Sequence, residues 1–157
     1  MSKPSFSLLE NSGKNLLKLY LNDVDILTTM FYGNNIAAIL SDEKSVNLGS
    51  VYETVVAPEL KAHGFNLYYF DYKKTGEVDL LVDDMAHLSN IPIEVKSGKD
   101  YTIHSALDRF LPIKEYNILE AFVLSNEQRV FSDAGITYLP IYYVLFFKKN
   151  DDVVGEL

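Results

Sequence analysis

Nine residues, Ile91-Pro92-Ile93-Glu94-Val95-Lys96-Ser97-Gly98-Lys99, constrain the fold more than any other stretch. The β-branched Ile93 and Val95 favour a strand, Pro92 suits its beginning and Gly98 its end. Side chains alternate across a strand. Ile93 and Val95 therefore point one way, and Glu94 and Lys96 the other. An acid and a base project together from a segment apolar enough to be a central strand. Buried charge is costly unless it is paired or bound to a metal. A fold that buries this strand must satisfy Glu94 and Lys96, either with each other as a structural ion pair or with a ligand.

A second strand candidate lies just upstream, Glu77-Val78-Asp79-Leu80-Leu81-Val82-Asp83-Asp84. Regular alternation puts Val78, Leu80 and Val82 on one face and Asp79, Leu81 and Asp83 on the other. The short polar connection, residues 85–90, suits an antiparallel hairpin. Pairing on one face then brings Asp79 opposite or diagonal to Glu94 and Lys96. Two carboxylates with water suit Mg²⁺ or Mn²⁺. A lysine beside such an ion can orient or deprotonate a water, or stabilise charge developing on phosphorus. The plainer alternative makes Asp79 a surface residue like Asp83 and Asp84.

A third acid sits on a predicted helix over 48–64, where apolar residues recur at 48, 51, 52, 55, 56 and 60 and Gly64 provides a stop. Glu53 shares a face with Val56, Ala57 and Leu60, toward the sheet. Ser50-x-x-Glu53 also spells a capping box, in which Glu53 would bond the Ser50 amide. Pro58 removes a backbone bond, so a break or bend is expected near 54–58.

The remaining elements follow in chain order. Residues 1–13 read as a mobile polar leader, 14–147 as one domain and 148–157 as a polar tail. A strand is expected over 16–21. A helix over 24–32 is capped by Asn22 or Asp23 and stopped by Gly33. Residues 34–41 lean helical and 41–47 form a loop. A strand over 66–72 turns through Lys73-Lys74-Thr75-Gly76 into the first acidic strand. A helix over 105–116, carrying Pro112, crosses to a strand over 120–125 that should lie parallel to its neighbour. A short strand covers 136–139, and 141–147 is apolar without clear period. This order is α/β, with a mixed central sheet flanked by helices.

In that order, Glu53, Asp79 and Glu94-x-Lys96 on helix, strand and strand resemble the PD-(D/E)XK, or restriction-endonuclease-like, superfamily. The chain resembles one branch more closely: the domain of unknown function found at the C-terminus of many prokaryotic AAA+ ATPases. The residues that carry this are Leu19-Tyr20-Leu21-Asn22-Asp23, Gly49-Ser50-Val51-Tyr52-Glu53, Leu67-Tyr68-Tyr69-Phe70, Glu77-Val78-Asp79, Pro92 to Gly98, Ser105-Ala106-Leu107 with Phe110, and Tyr138-Leu139-Pro140. The resemblance implies that Asp79 and Glu94 hold Mg²⁺ or Mn²⁺, with the Val95 carbonyl as third ligand. Lys96 would act on the attacking water, and Glu53 would hold a metal-bound water or a second ion. It also implies DNA as substrate and an AAA+ ATPase module, of the same or another chain, as partner.

Composition sets limits on that reading. A net charge of −8 opposes non-specific nucleic-acid binding. A local basic patch of Lys73, Lys74, Lys99 and Arg109, with Lys114, flanks the acids in sequence; its alternative is a solvated mixed-charge surface. There is no cysteine, hence no disulfide and no thiolate site, which fits a reducing cytoplasm. No apolar run reaches membrane-spanning length, and no G-x-x-x-x-G-K-[ST] loop exists for ATP hydrolysis. Two expectations stand: a divalent-metal-dependent nuclease-like domain acting on DNA phosphodiesters, or a silent nuclease-fold module that binds DNA or a protein partner.

Overall fold

The computed structural model describes residues 7–11, 18–33, 48–72, 76–98 and 100–149. The expected helix over 34–41, the loop over 41–47, and most of the polar tail lie outside them. Six strands form one mixed sheet: β1 (Tyr68–Tyr72), β2 (Gly76–Asp84), β3 (Ser89–Lys96), β4 (Ala121–Ser125), β5 (Phe131–Asp133) and β6 (Ile136–Pro140). Their spatial order is β1-β2-β3-β4-β6-β5. The β1–β2, β2–β3 and β5–β6 pairs are antiparallel, while β3–β4 and β4–β6 are parallel. β5 was not foreseen. The Ala134-Gly135 turn that makes its hairpin has positive φ at both residues (49° and 84°), as a type I′ hairpin turn does.

Among the described residues, four α-helices accompany the sheet: α1 (Leu8–Asn11), α2 (Val24–Tyr32), α3 (Gly49–Ala62) and α4 (Ser105–Phe110). α2 follows the expectation, with the Asp23 carboxylate accepting from the Asp25 and Ile26 amides and Gly33 closing the helix. α3 packs Val56, Ala57 and Leu60 onto Leu80, Val82, Ile93, Val95, Leu124 and Leu139. The opposite face of the sheet is covered by Leu8 of α1 and by Leu107 and Phe110 of α4, against Phe70, Val78, Leu81, Ala121, Val123 and Tyr138. Both faces are thus buried, as a central strand with Ile93 and Val95 on one side demands.

Several expectations are corrected. Residues 18–21 form no strand. Leu8, inside the supposed mobile leader, is fully buried, and its amide donates to Asp83 Oδ1 at 3.0 Å. α3 runs through Pro58 without a break. Leu48, not Ser50, is its N-cap, and no side chain caps it, so the capping box does not form. α4 ends at Phe110 rather than 116, since Pro112 has no amide to continue the ladder. A 3₁₀ turn at Lys114–Tyr116 follows, and a second covers Ile141–Phe146. Gly76 opens β2 with φ 95°, and a Cβ there would meet the Ala106 Cβ at 3.0 Å. Its bareness lets α4 sit directly on the start of the acidic strand.

The β2–β3 hairpin is tightened by one acid. Asp84 accepts from the Ala86 and His87 amides and from the His87 ring. Burial acts to raise the Asp84 pKa, but these donors outweigh it and hold the carboxyl below its ordinary value. This fixes the register that runs from Asp84–Ser89 to Leu80–Ile93.

Candidate functional site

The site forms where the β2–β3 ladder stops. β1 pairs Tyr68 with Leu81 but Phe70 with Val78, so Asp79 and Leu80 together oppose Tyr69 alone. This is a β-bulge, which breaks strict alternation and re-aims a side chain. Val78 accordingly packs with Leu81 on the α4 face, while Leu80 and Val82 pack under α3. The expected sharing of one face by Val78, Leu80 and Val82 is therefore wrong, and the bulge is the reason. Asp79 leaves the ladder, and its Oδ2 accepts from the Val95 amide at 2.8 Å. A strand amide points within the sheet, so the carboxylate lies near the sheet plane at the mouth between β2 and β3.

Glu94 and Lys96 point to the α4 face, opposite to Ile93 and Val95 as alternation requires. Their β4 partners are Val123 and Ser125. Glu94 is only 5% exposed, and its Oε1 lies 2.8 Å from Lys96 Nζ. Its Oε2 is buried and, among the described residues, has no hydrogen-bond partner. Burial and the Glu94 charge, joined by that of Glu53, push the Asp79 pKa from 3.8 up to about 7, against the pull of the Val95 amide and Lys18. Two carboxylates thus confront each other in a poorly solvated gap with too little positive charge between them.

Glu53 approaches from α3, on the other face, and a residue absent from the sequence reading connects it to Asp79. Lys18 Nζ lies 2.7 Å from Glu53 Oε2, 2.7 Å from Glu77 Oε1 and 3.8 Å from Asp79 Oδ1. Burial alone would lower the Lys18 pKa, but the Glu53 and Glu77 carboxylates reverse this and hold it above its ordinary value. Tyr20 Oη donates to Glu53 Oε2 at 3.4 Å. Its own pKa is raised, first by burial and then by Glu53, with Lys18 opposing. The signal for Lys18 was present but faint: Lys18 and Tyr20 alternate with Leu19 and Leu21, as an extended segment with two polar ends inward would.

Lys73, Lys74 and Lys99 lie outside the described residues. Arg109 is exposed on α4, its Nε donating to the Ser105 carbonyl at 2.8 Å. His104 is buried, its Nε2 2.6 Å from Tyr138 Oη and its Nδ1 2.7 Å from Asp108 Oδ1. His63 closes α3, its Nδ1 2.8 Å from the Phe147 carbonyl.

A protein-family model, Domain of unknown function (DUF4143), matches residues 48–144, more than half of the chain. The chain belongs to the DUF4143 family. The match takes in Glu53, Asp79, Glu94 and Lys96, and it begins after the segment that carries Lys18 and Tyr20. No curated protein and no solved structure matches. In this DUF4143 domain no helix among the described residues is long and apolar enough to cross a membrane. Nor do three histidine, aspartate or glutamate side chains among them gather into a ready metal cage. The acids offer two carboxylates, Asp79 and Glu94, with backbone beside them. A two-carboxylate site still suits Mg²⁺, which keeps several of its waters and completes its shell with substrate phosphate. The unpartnered Glu94 Oε2 and the raised Asp79 pKa are what such an ion would relieve.

Proposed function

We propose that this DUF4143 domain is a PD-(D/E)XK-type nuclease domain that hydrolyses DNA phosphodiesters with Mg²⁺ or Mn²⁺. The observation that carries this reading is the buried, unpartnered Glu94 Oε2 beside Asp79, with Lys96 on the same strand face. Asp79 and Glu94 would hold the ion, with the Val95 carbonyl as a third oxygen. Such an ion lowers the pKa of bound water and offsets charge on the phosphate. Lys96, held 2.8 Å from Glu94 Oε1, would orient the attacking water and meet charge developing on the phosphate oxygens. The Val95 amide fixes the Asp79 carboxylate, so that oxygen donor needs little reorganisation. Glu53 steadies the outer side of the site through Lys18 and Tyr20. Work alongside an AAA+ ATPase module, in the cytoplasm, belongs to the same reading and rests on the resemblance of the motifs.

A second reading has its own support. The ammonium of Lys18 already sits among Glu53, Glu77 and Asp79, and the net charge is −8. On that reading the domain is a silent nuclease-fold module that binds a protein or nucleic acid, and the acids are structural. End-labelled duplex, branched and single-stranded DNA incubated with Mn²⁺ separates the two. The nuclease reading expects cleavage that EDTA stops and that Asp79→Asn with Glu94→Gln reduces at least a hundredfold. Parent protein inert on all three substrates leaves the silent module.

A further inference from the structure

Residues 18–21 run beside the acid site as an arm without regular secondary structure. Leu19 is 82% exposed and Leu21 is 39% exposed, while Lys18 and Tyr20 turn inward. Among the described residues, the arm's inward grip includes Lys18 on Glu53, Glu77 and Asp79 and over the Tyr69 ring, and Tyr20 on Glu53. Tyr20 also packs at the margin of the α3 core. Asp79 is shared: its Oδ1 faces Lys18 and its Oδ2 takes the Val95 amide.

We propose that Lys18 is the built-in counter-ion of the acid site and that the arm is a latch which a divalent cation opens. This rests on the reading that Asp79 and Glu94 hold such an ion. A doubly charged ion on Asp79 and the Lys18 ammonium beside it repel each other, and in a half-buried gap that repulsion is weakly screened. They also draw on one carboxylate. The coupling is reciprocal: the factor by which Lys18 weakens the ion is the factor by which the ion weakens the latch. With the ammonium seated, Asp79 and Glu53 have a cation and the fold tolerates the acids without metal. With the ion bound, Lys18 keeps Glu53 and Glu77 but loses Asp79 and is repelled by the ion, so the arm is held less tightly and opens more often. Lys18 thus sets metal affinity without touching substrate, which makes it a positioning residue.

Two readouts test this, neither of them cleavage of DNA. Calorimetry with Mn²⁺ on the full chain should show Lys18→Met binding at least tenfold tighter than the parent. Trypsin cuts after lysine, so Mn²⁺ should speed cleavage of the Lys18–Leu19 bond in the parent several-fold, followed by mass spectrometry. Glu94→Gln, which leaves Lys18 and its partners in place, should show no such acceleration. If the parent binds Mn²⁺ but Lys18→Met binds no tighter, or cleavage at Lys18 ignores the ion, the latch is overturned and the metal reading stands. If neither protein binds Mn²⁺, both fall. Should Lys18→Met fail to fold, the protease readout on the parent decides alone.

Discussion

Asp79→Asn is expected to stabilise the domain at pH 8 by on the order of 2–4 kcal/mol and to change little near pH 4. The folded state raises the Asp79 pKa from 3.8 to about 7, chiefly by burial and by the neighbouring Glu94. The folded chain therefore binds this proton more tightly than the unfolded one. Stability falls as pH rises from about 4, and the loss is complete above about 7. Asparagine resembles the protonated acid and can still accept from the Val95 amide, so it removes the loss without breaking that bond. The gain should grow through the window between the two pKa values and level off above it. Added Mn²⁺ should reverse the ranking, since only the parent can trade its surplus charge for an ion. Thermal unfolding of both proteins from pH 4 to pH 8 checks this. An Asp79→Asn variant less stable than the parent at every pH would show that the carboxylate is satisfied as it stands.

Lys96→Ala is expected to act in two ways at once. It should remove metal-dependent cleavage, and it should also destabilise the fold by about 2–4 kcal/mol, because Glu94 is left buried with no counter-charge. Lys96 is partly exposed, which keeps the cost below that of a fully enclosed pair. At roughly 2–4 °C per kcal/mol for a chain of this size, the melting temperature should fall by about 5–15 °C. Pairing Lys96→Met with Glu94→Leu should recover much of that loss while leaving cleavage absent, since no lone charge remains and Glu94 Oε2 is no longer stranded. Denaturant unfolding of the single and double variants measures the recovery. Equal instability in both would mean that the cost lies in packing around the Lys96 stem rather than in charge.

Much of this architecture was legible because it follows from local rules. Asp23 and Gly33 bracket α2, the apolar spacing of α3 survives Pro58, and a helical crossover made β4 parallel to β3. The face of Glu94 and Lys96 followed from alternation alone. Asp79 was placed beside Glu94, but for a reason that sequence could not supply. Alternation assumes an unbroken ladder, and the bulge opposite Tyr69 turns Asp79 into the sheet plane. A bulge depends on how β1 meets β2, which no single strand encodes. Glu53 had two readings, and its cap role failed because Leu48 begins the helix. Lys18 was passed over because its three partners lie far along the chain, on α3 and β2, and its own segment looked like a strand. Long-range ion pairing of this kind leaves almost no local pattern.

Anomalous diffraction from crystals soaked in Mn²⁺ tests the metal site most directly. The account predicts a peak within coordination distance of Asp79 Oδ1 and Glu94 Oε2, near the Val95 carbonyl, with Lys18 drawn away from Asp79. A map with no peak at that position, Glu94 still paired only to Lys96 and the Lys18 ammonium still beside Asp79, would contradict it.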